Sequence, residues 1–261
     1  MVILTEPYGQ TSNQFFQHVH LDSFCRDHGI FFYNHFLSVY YDDYPNLKLE
    51  NDKKLYKYLL KSFFKFKLSG YSFDDDKENE SYKSKILSSR ILYCRGWYFR
   101  SAETLTKYRS YYLKIFSPNV DKVSLDRLWL SKSNLNEKII AVHIRRGDYK
   151  TFMNGLYFYE DNIYNQKMLE LALLLNYNCK FIIFSNDTNL SVANLKIPLE
   201  MAVSKNSTVI DHYLMSKCDY IIGPPSTFTM WASYMGGTPY FHIYGQQDNL
   251  ALERFTICNG K

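Results

Sequence analysis

Unbroken apolar runs dominate the second half of the chain. Ile139 to Ile144 and Lys180 to Phe184 are rich in β-branched residues and read as strands buried on both faces, with a helical stretch from Asn162 to Leu175 between them. Strand, helix and strand in that order make a βαβ unit, which places both strands in a parallel sheet. The pattern continues with a helix near Val209 to Lys217, a strand at Tyr220 to Ile222 and the turn Gly223-Pro224-Pro225. A helix from Ser226 to Met235 and a last strand from Pro239 to Ile243 close the series.

The first half is less regular. A strand at Val2 to Leu4 leads into the loop Tyr8-Gly9-Gln10, after which Thr11 or Ser12 is expected to cap a helix that runs to about His28 and stops at Gly29. Ile30 to Tyr33 reads as the next strand, Lys53 to Leu68 as a helix, Asp74 to Glu80 as a polar loop and Ile91 to Arg95 as a strand. Helices over Ala102 to Phe116 and Asp121 to Lys132 then carry the chain to the second half. The polar stretch at residues 133–138 reads as a boundary, so the expected architecture is α/β with two lobes, 1–135 and 136–261, and a cleft between them.

Composition narrows the class. A chain of 261 residues builds a core without covalent staples. Its five cysteines, Cys25, Cys94, Cys179, Cys218 and Cys258, are scattered, odd in number and never spaced C-x-x-C, so they read as small buried hydrophobes in a reducing compartment. The N-terminus lacks the basic segment and length of a signal peptide, and no stretch approaches the roughly 18 apolar residues of a membrane span. A cytoplasmic location is the expectation. The net charge of +5 is spread out, which suits an anionic ligand or surface and not nucleic acid, where a dense basic stripe is expected.

The Lys53 to Leu68 stretch puts Lys54, Lys57, Lys61 and Lys65 on one helical face and Leu55, Leu59, Phe63 and Phe66 on another. Such a helix either packs on a core with its lysines in water or lies on an anionic membrane, which would suit an enzyme acting on lipid-linked glycans.

Candidate chemistry collects where predicted strands end. His143-Ile144-Arg145-Arg146-Gly147-Asp148-Tyr149 follows a buried strand, and ligands of open α/β sheets bind beyond the carboxyl ends of strands. Adjacent guanidiniums suit a diphosphate; equally, they suit ion pairs with Asp148 and a second carboxylate. Gly223-Pro224-Pro225-Ser226-Thr227 opens a helix whose free N–H groups and dipole favour an anion, although an ordinary N-cap looks the same. Ser185-Asn186-Asp187 ends a third strand with groups suited to a ribose or base. No P-loop, dinucleotide fingerprint or H-E-x-x-H motif occurs. Asp74-Asp75-Asp76 is the one acidic run that resembles a metal-binding triplet, and it falls in the charged loop.

Taken in order, these segments resemble the motifs of the alpha-1,2-fucosyltransferases and, more distantly, of alpha-1,6- and protein O-fucosyltransferases. His143-Ile-Arg145-Arg146-Gly-Asp148 is similar to H-x-R-R-x-D, and Phe184 to Asp187 and Asp211 to Ala232 are similar to the two motifs that follow. Gly9 to Gln17 resembles a G-x-x-G-N-Q-x-F-Q loop, with Ser12 in place of the second glycine. Asn186 stands for an acid and Met230 for a tryptophan. The resemblance implies a GT-B-like fold of two Rossmann-like lobes, an inverting reaction, a GDP-fucose donor, a galactose-terminated glycan acceptor and no metal or other cofactor. By position it implies that Arg145 contacts the donor diphosphate, with Arg146 and His143 supporting it. Asp187 and Asp211 would hold the guanosine, Ser226 and Thr227 the phosphates, and Gly9 and Asn13 would approach from the other lobe. For the general base it leaves Asp148, Glu160 and Asp161.

Overall fold

The computed structural model describes residues 1–52, 70–120 and 131–260. The amphipathic stretch from Lys53 to Leu68, and residues 121–130 of the expected linking helix, lie outside them. No helix among the described residues is long and apolar enough to cross a membrane. The chain divides into two compact units, residues 1–119 with 259–261 and residues 120–258.

The division therefore falls earlier than the boundary expected at residues 133–138. The reason lies in the bonds of the polar stretch itself. Lys180 Nζ donates to Ser131 O, Lys132 pairs with Asp219 at 2.9 Å, and the Ser133 N–H donates to Glu137 at 2.7 Å, so this segment is the lead-in to the second sheet. The last residues return to the first unit, where Gly260 lies against Leu105 and His20.

The first unit holds a four-stranded parallel sheet in the order β2-β1-β4-β3, made of β1 (Val2–Leu4), β2 (Phe32–Tyr33), β3 (Tyr71–Phe73) and β4 (Leu92–Gly96). Helix α1 (Thr11–Asp27) is buried along most of its length, so its polar residues are partnered inside the unit. Asp22 accepts from Arg26 at 3.2 Å and from the Tyr112 hydroxyl at 2.9 Å. The Ser23 and Thr104 hydroxyls lie 2.8 Å apart. Neither Thr11 nor Ser12 caps α1: Gln10 occupies the N-cap without a side-chain bond, and Ser12 is buried in the first turn. Gly29, with φ +64°, stops the helix as expected.

Three further elements differ from the sequence expectation. The polar loop at Asp74 to Glu80 is a short 3₁₀ turn, capped when Asp75 accepts from the Lys77 N–H at 2.9 Å, and it runs into a helix, α3 (Asn79–Ser88). Helix α2 (Pro45–Asp52) precedes it. The stretch from Ala102 to Phe116 is two helices, α4 (Ala102–Lys107) and α5 (Arg109–Ile115), broken at Tyr108.

The second unit is a five-stranded parallel sheet in the order β7-β6-β5-β8-β9: β5 (Lys138–Ile144), β6 (Cys179–Ser185), β7 (Met201–Val203), β8 (Tyr220–Gly223) and β9 (Tyr240–His242). Relative to the first strand, this is the 3-2-1-4-5 order of a doubly wound α/β sheet. Side chains of β5 alternate between two layers, as a strand buried on both faces requires. Ile140, Val142 and Ile144 pack with Ile163, Met168 and Leu171 of α6 (Asp161–Leu174). Ile139 and Ala141 pack with Leu214 and Met215 of α7 (Thr208–Met215) and Ala232 of α8 (Thr227–Gly236). All five cysteines are buried and free, in line with their reading as small hydrophobes.

Gln17 joins the loops that leave β1 and β4. Its side chain is buried, accepts from the Tyr8 N–H at 3.1 Å and donates to Gly96 O at 2.8 Å. Gln17→Ala removes the partner of the Tyr8 N–H and the Gly96 C=O, both part-buried, and is expected to lower unfolding stability by about 1 kcal/mol, read from the urea midpoint.

Candidate active site

In the second unit the chain order of the strands reverses between β5 and β8. A crevice opens beyond the carboxyl ends of the two strands at such a point. Two loops reach it: residues 145–149 after β5, and Pro224-Pro225-Ser226 after β8. The strands approach closely at that end, because a Cβ on Gly223 would lie 2.7 Å from His143 O and 2.9 Å from His143 Cβ. Tyr149 ties the loops together, its buried hydroxyl donating to Pro225 O at 2.6 Å.

The two arginines differ in how they are held. Arg145 forms a fork with Asp148, Nε to Oδ1 at 3.0 Å and Nη2 to Oδ2 at 2.9 Å, and lies 5.4 Å from the Tyr149 ring centre. Its side chain is 15% exposed and that of Asp148 is 49% exposed. Arg146 points the other way. It bonds Asp161 in the first turn of α6, lies 3.6 Å from Glu160, and is flanked by the rings of Phe158 and Tyr164. Its backbone N–H donates to Asn186 Oδ1 at 2.8 Å. Both arginines thus have carboxylate partners, and all three candidate bases are those partners.

Ser226 is the N-cap of α8, its hydroxyl accepting from the Phe228 N–H at 3.2 Å, and Thr227 opens the helix. Phe228 lies between two histidine rings, His143 at 5.0 Å and His212 at 4.0 Å, both stacked on it. His143 sits on the same β5 face as Ile139 and Ala141. Burial first, and then the nearby Arg145 charge, drive its pKa down to about 3. Burial likewise takes His212 to about 3 and His242 to about 4, so these rings are neutral at physiological pH.

Asp187 shapes the turn after β6: its N–H donates to Ser185 Oγ at 3.1 Å, and its carboxylate accepts from the Asn189 N–H at 2.9 Å. Asp211, in the first turn of α7, accepts from the Ser204 hydroxyl. Burial raises its carboxyl to about 6, against the opposing pull of that hydrogen bond.

Of the predicted site residues, His143, Arg145, Asp148, Ser226 and Thr227 lie at the β5/β8 reversal, the Arg146 side chain turns from it to the start of α6, and Asp187 and Asp211 follow β6 and β7 of that sheet. Gly9 and Asn13 belong to the first unit, where Gly9 adopts φ +59° and Asn13 packs directly over it. Tyr149 and Phe228, which fall inside the candidate stretches but are given no role by the sequence, are buried or stacked at the same point. Each sits beside a residue that was chosen, which was the only signal available.

A parallel sheet with an arginine-bearing loop and a capped helix start at its reversal defines a doubly wound α/β unit. Residues 46–250 match the model of glycosyl transferase family 11, and the chain belongs to that family. It is 28% identical over 152 residues to the O-antigen biosynthesis glycosyltransferase WbnK of Escherichia coli, covering 55% of this chain and 50% of that protein. It is 26% identical over 105 residues to the galactoside 2-alpha-L-fucosyltransferase SEC1 of Bos taurus, covering 38% of this chain and 28% of that protein. The matches thus span half or less of each relative's length.

The fold is shared with solved fucosyltransferase structures. An Arabidopsis thaliana FUT1 variant in complex with GDP gives a TM-score of 0.55 at 12% identity, over 92% of this chain and 69% of that one. POFUT1 in complex with GDP-fucose gives 0.55 at 11%, over 93% and 97% of the two chains. These likenesses establish a GT-B-like α/β fold.

The contrast between the arginines predicts different roles in stability. Arg146→Ala leaves two carboxylates facing a vacated, half-buried slot and is expected to cost about 1–3 kcal/mol. That is below the range for a fully buried pair, because Asp161 and Glu160 are 32% and 76% exposed. Arg145→Ala is expected to cost less than about 1 kcal/mol, since Asp148 can turn to water. Parallel urea titrations of the two variants check this order.

Proposed function

We propose that this chain transfers L-fucose from GDP-fucose to the 2-hydroxyl of a terminal galactose on a glycan, with inversion and without a metal ion. The observation that carries the reading is Arg145, forked to a half-exposed carboxylate beside the N-capped start of α8 at the strand-order reversal. Family membership supports it, as do the galactoside-2-fucosyltransferase relative and the shared fold of proteins solved with GDP or GDP-fucose.

In this mechanism Arg145 exchanges Asp148 for the donor diphosphate, and the first N–H groups of α8 with Ser226 and Thr227 share the phosphate charge. The acceptor hydroxyl oxygen attacks the anomeric carbon as the bond to the GDP oxygen breaks. Positive charge fixed at that oxygen stabilises the leaving group as its charge develops. Asp148, released from Arg145, takes the acceptor proton. Asp187 and Asp211 receive hydroxyl and N–H donors of the nucleoside, while Arg146 and His143 hold the loop.

Incubation with GDP-fucose and lactose, with and without EDTA, is expected to give fucosylated lactose in both cases, identified by mass and by NMR of the linkage. Arg145→Ala is expected to lose at least a hundredfold in kcat/KM while staying folded. Product formed only without EDTA would refute the metal-free step, and near-normal turnover by the variant would refute the role of Arg145.

Asp211 sets a pH dependence. With its carboxyl at about 6, it is ionised above that pH and protonated below it. A ligand N–H bonds the ionised form, so GDP affinity is expected to fall roughly tenfold between pH 7 and pH 5. Calorimetric titration of GDP should show that slope in the parent chain and a flat profile in Asp211→Asn.

A further inference from the structure

The first unit has a reversal of its own. Strand order β2-β1-β4-β3 changes direction between β1 and β4, and the loops leaving those strands carry side chains that donor binding does not use. Tyr8, from the β1 loop, stacks on Trp97, from the β4 loop, with centroids 5.2 Å apart and planes 19° apart. The Arg100 guanidinium lies 4.1 Å from the centre of the same indole. Tyr8 and Tyr98 are 43% and 40% exposed, an unusual outlay of aromatic surface for two adjoining loops.

Arg100 is the second observation. Its Nη1 donates to Trp97 O and to Phe99 O (2.9 Å for the latter), and among the described residues no carboxylate contributes to its environment. Burial lowers its pKa to about 10, so it remains charged. A largely desolvated cation with no carboxylate partner is costly unless a ligand supplies acceptors.

The group is also held in place. Asn79 exchanges two hydrogen bonds of 2.8 Å with the Arg100 backbone, and His20 Nδ1 accepts from the Ser101 N–H at 3.1 Å. Burial takes His20 to about 3, which keeps that nitrogen an acceptor across the working pH range. Two exposed tyrosines beside a cation that lies over the indole match a pyranose: its C–H face packs on the tyrosine rings, with Trp97 as their backing, and its hydroxyls accept from the guanidinium N–H groups. A bare anion would engage Arg100 and leave the tyrosines idle.

We propose that Tyr8, Trp97, Tyr98 and Arg100 form a seat for the terminal sugar ring of the acceptor. This rests on the transferase reading above for the word acceptor, and on the first unit alone for the seat. The test has a donor-free arm and a turnover arm, each on the whole chain with lactose as probe. In the first, saturation-transfer NMR is expected to show contact with the galactose ring in the parent chain. Tyr98→Ala and Arg100→Lys are expected to reduce it at least fivefold, with GDP affinity by calorimetry unchanged within twofold as the check on folding.

In the turnover arm the same variants are expected to raise the lactose KM at least tenfold while leaving the GDP-fucose KM within twofold. Absence of saturation transfer in the parent chain overturns the seat, as does an unaltered lactose KM in both folded variants. Lactose contact without fucosyl product would defeat the transferase reading and leave the seat standing.

Discussion

A guanidinium moved from water into protein must recover the hydration it gives up, and this constraint organises the end of the second sheet. Arg145 and Arg146 leave β5 side by side, yet each meets its need differently. Arg146 is locked by Asp161 and Glu160 at the start of α6 and by aromatic rings, so it holds the loop to the helix that packs on β5. That fixed side chain positions its neighbour. Arg145 is forked to Asp148, three residues away and half exposed, a partner it can release to a better anion at small cost.

The surroundings reinforce this by remaining neutral. His143 and His212 are buried, and His242 half-buried, near the start of α8, and desolvation holds all three well below physiological pH. A charged imidazole there would compete with Arg145 for a bound anion and repel it when the site is empty. As neutral rings, His143 and His212 instead pack on Phe228, in the first turn of α8, and so fix the helix start. Thr229 and His242, 2.8 Å apart, anchor the same turn to β9. Electrostatics and packing thus serve one purpose, to hold the start of α8 at a strand end that admits negative charge.

Legibility followed burial. Strands β5, β6 and β8 lie inside a parallel sheet covered on both faces, so their sequences are continuous apolar runs, and their ends delivered the arginine loop and the Ser226 cap. Elements at the margins were silent. Strands β3 and β7 are three-residue edge strands. Helix α3 buries only Tyr82 and Ile86, too little for its periodicity to show against a polar background. What no pattern encoded was partnership: the choice of Asp161 for Arg146, and of Pro225 O for Tyr149, depends on which loops the sheet brings together. The Tyr8, Trp97 and Arg100 stack joins residues about 90 positions apart, and only the β1 and β4 pairing makes them neighbours.

The departures from the family motifs follow the same logic. A second glycine in the N-terminal loop would be needed if two residues adopted positive φ, but only Gly9 does; the helix has already begun at Thr11, and Ser12 is an ordinary buried helical residue. At Asn186 the side chain accepts from the Arg146 N–H, which an acid would do equally well. The amide does it without charge, and its Nδ2 sits where a Cβ on Gly147 would come within 2.8 Å. An acid there would add a second negative group beside the Arg145 and Asp148 fork and give Arg145 a competitor for any incoming phosphate. Asn186 keeps the loop pinned without adding a charge to it.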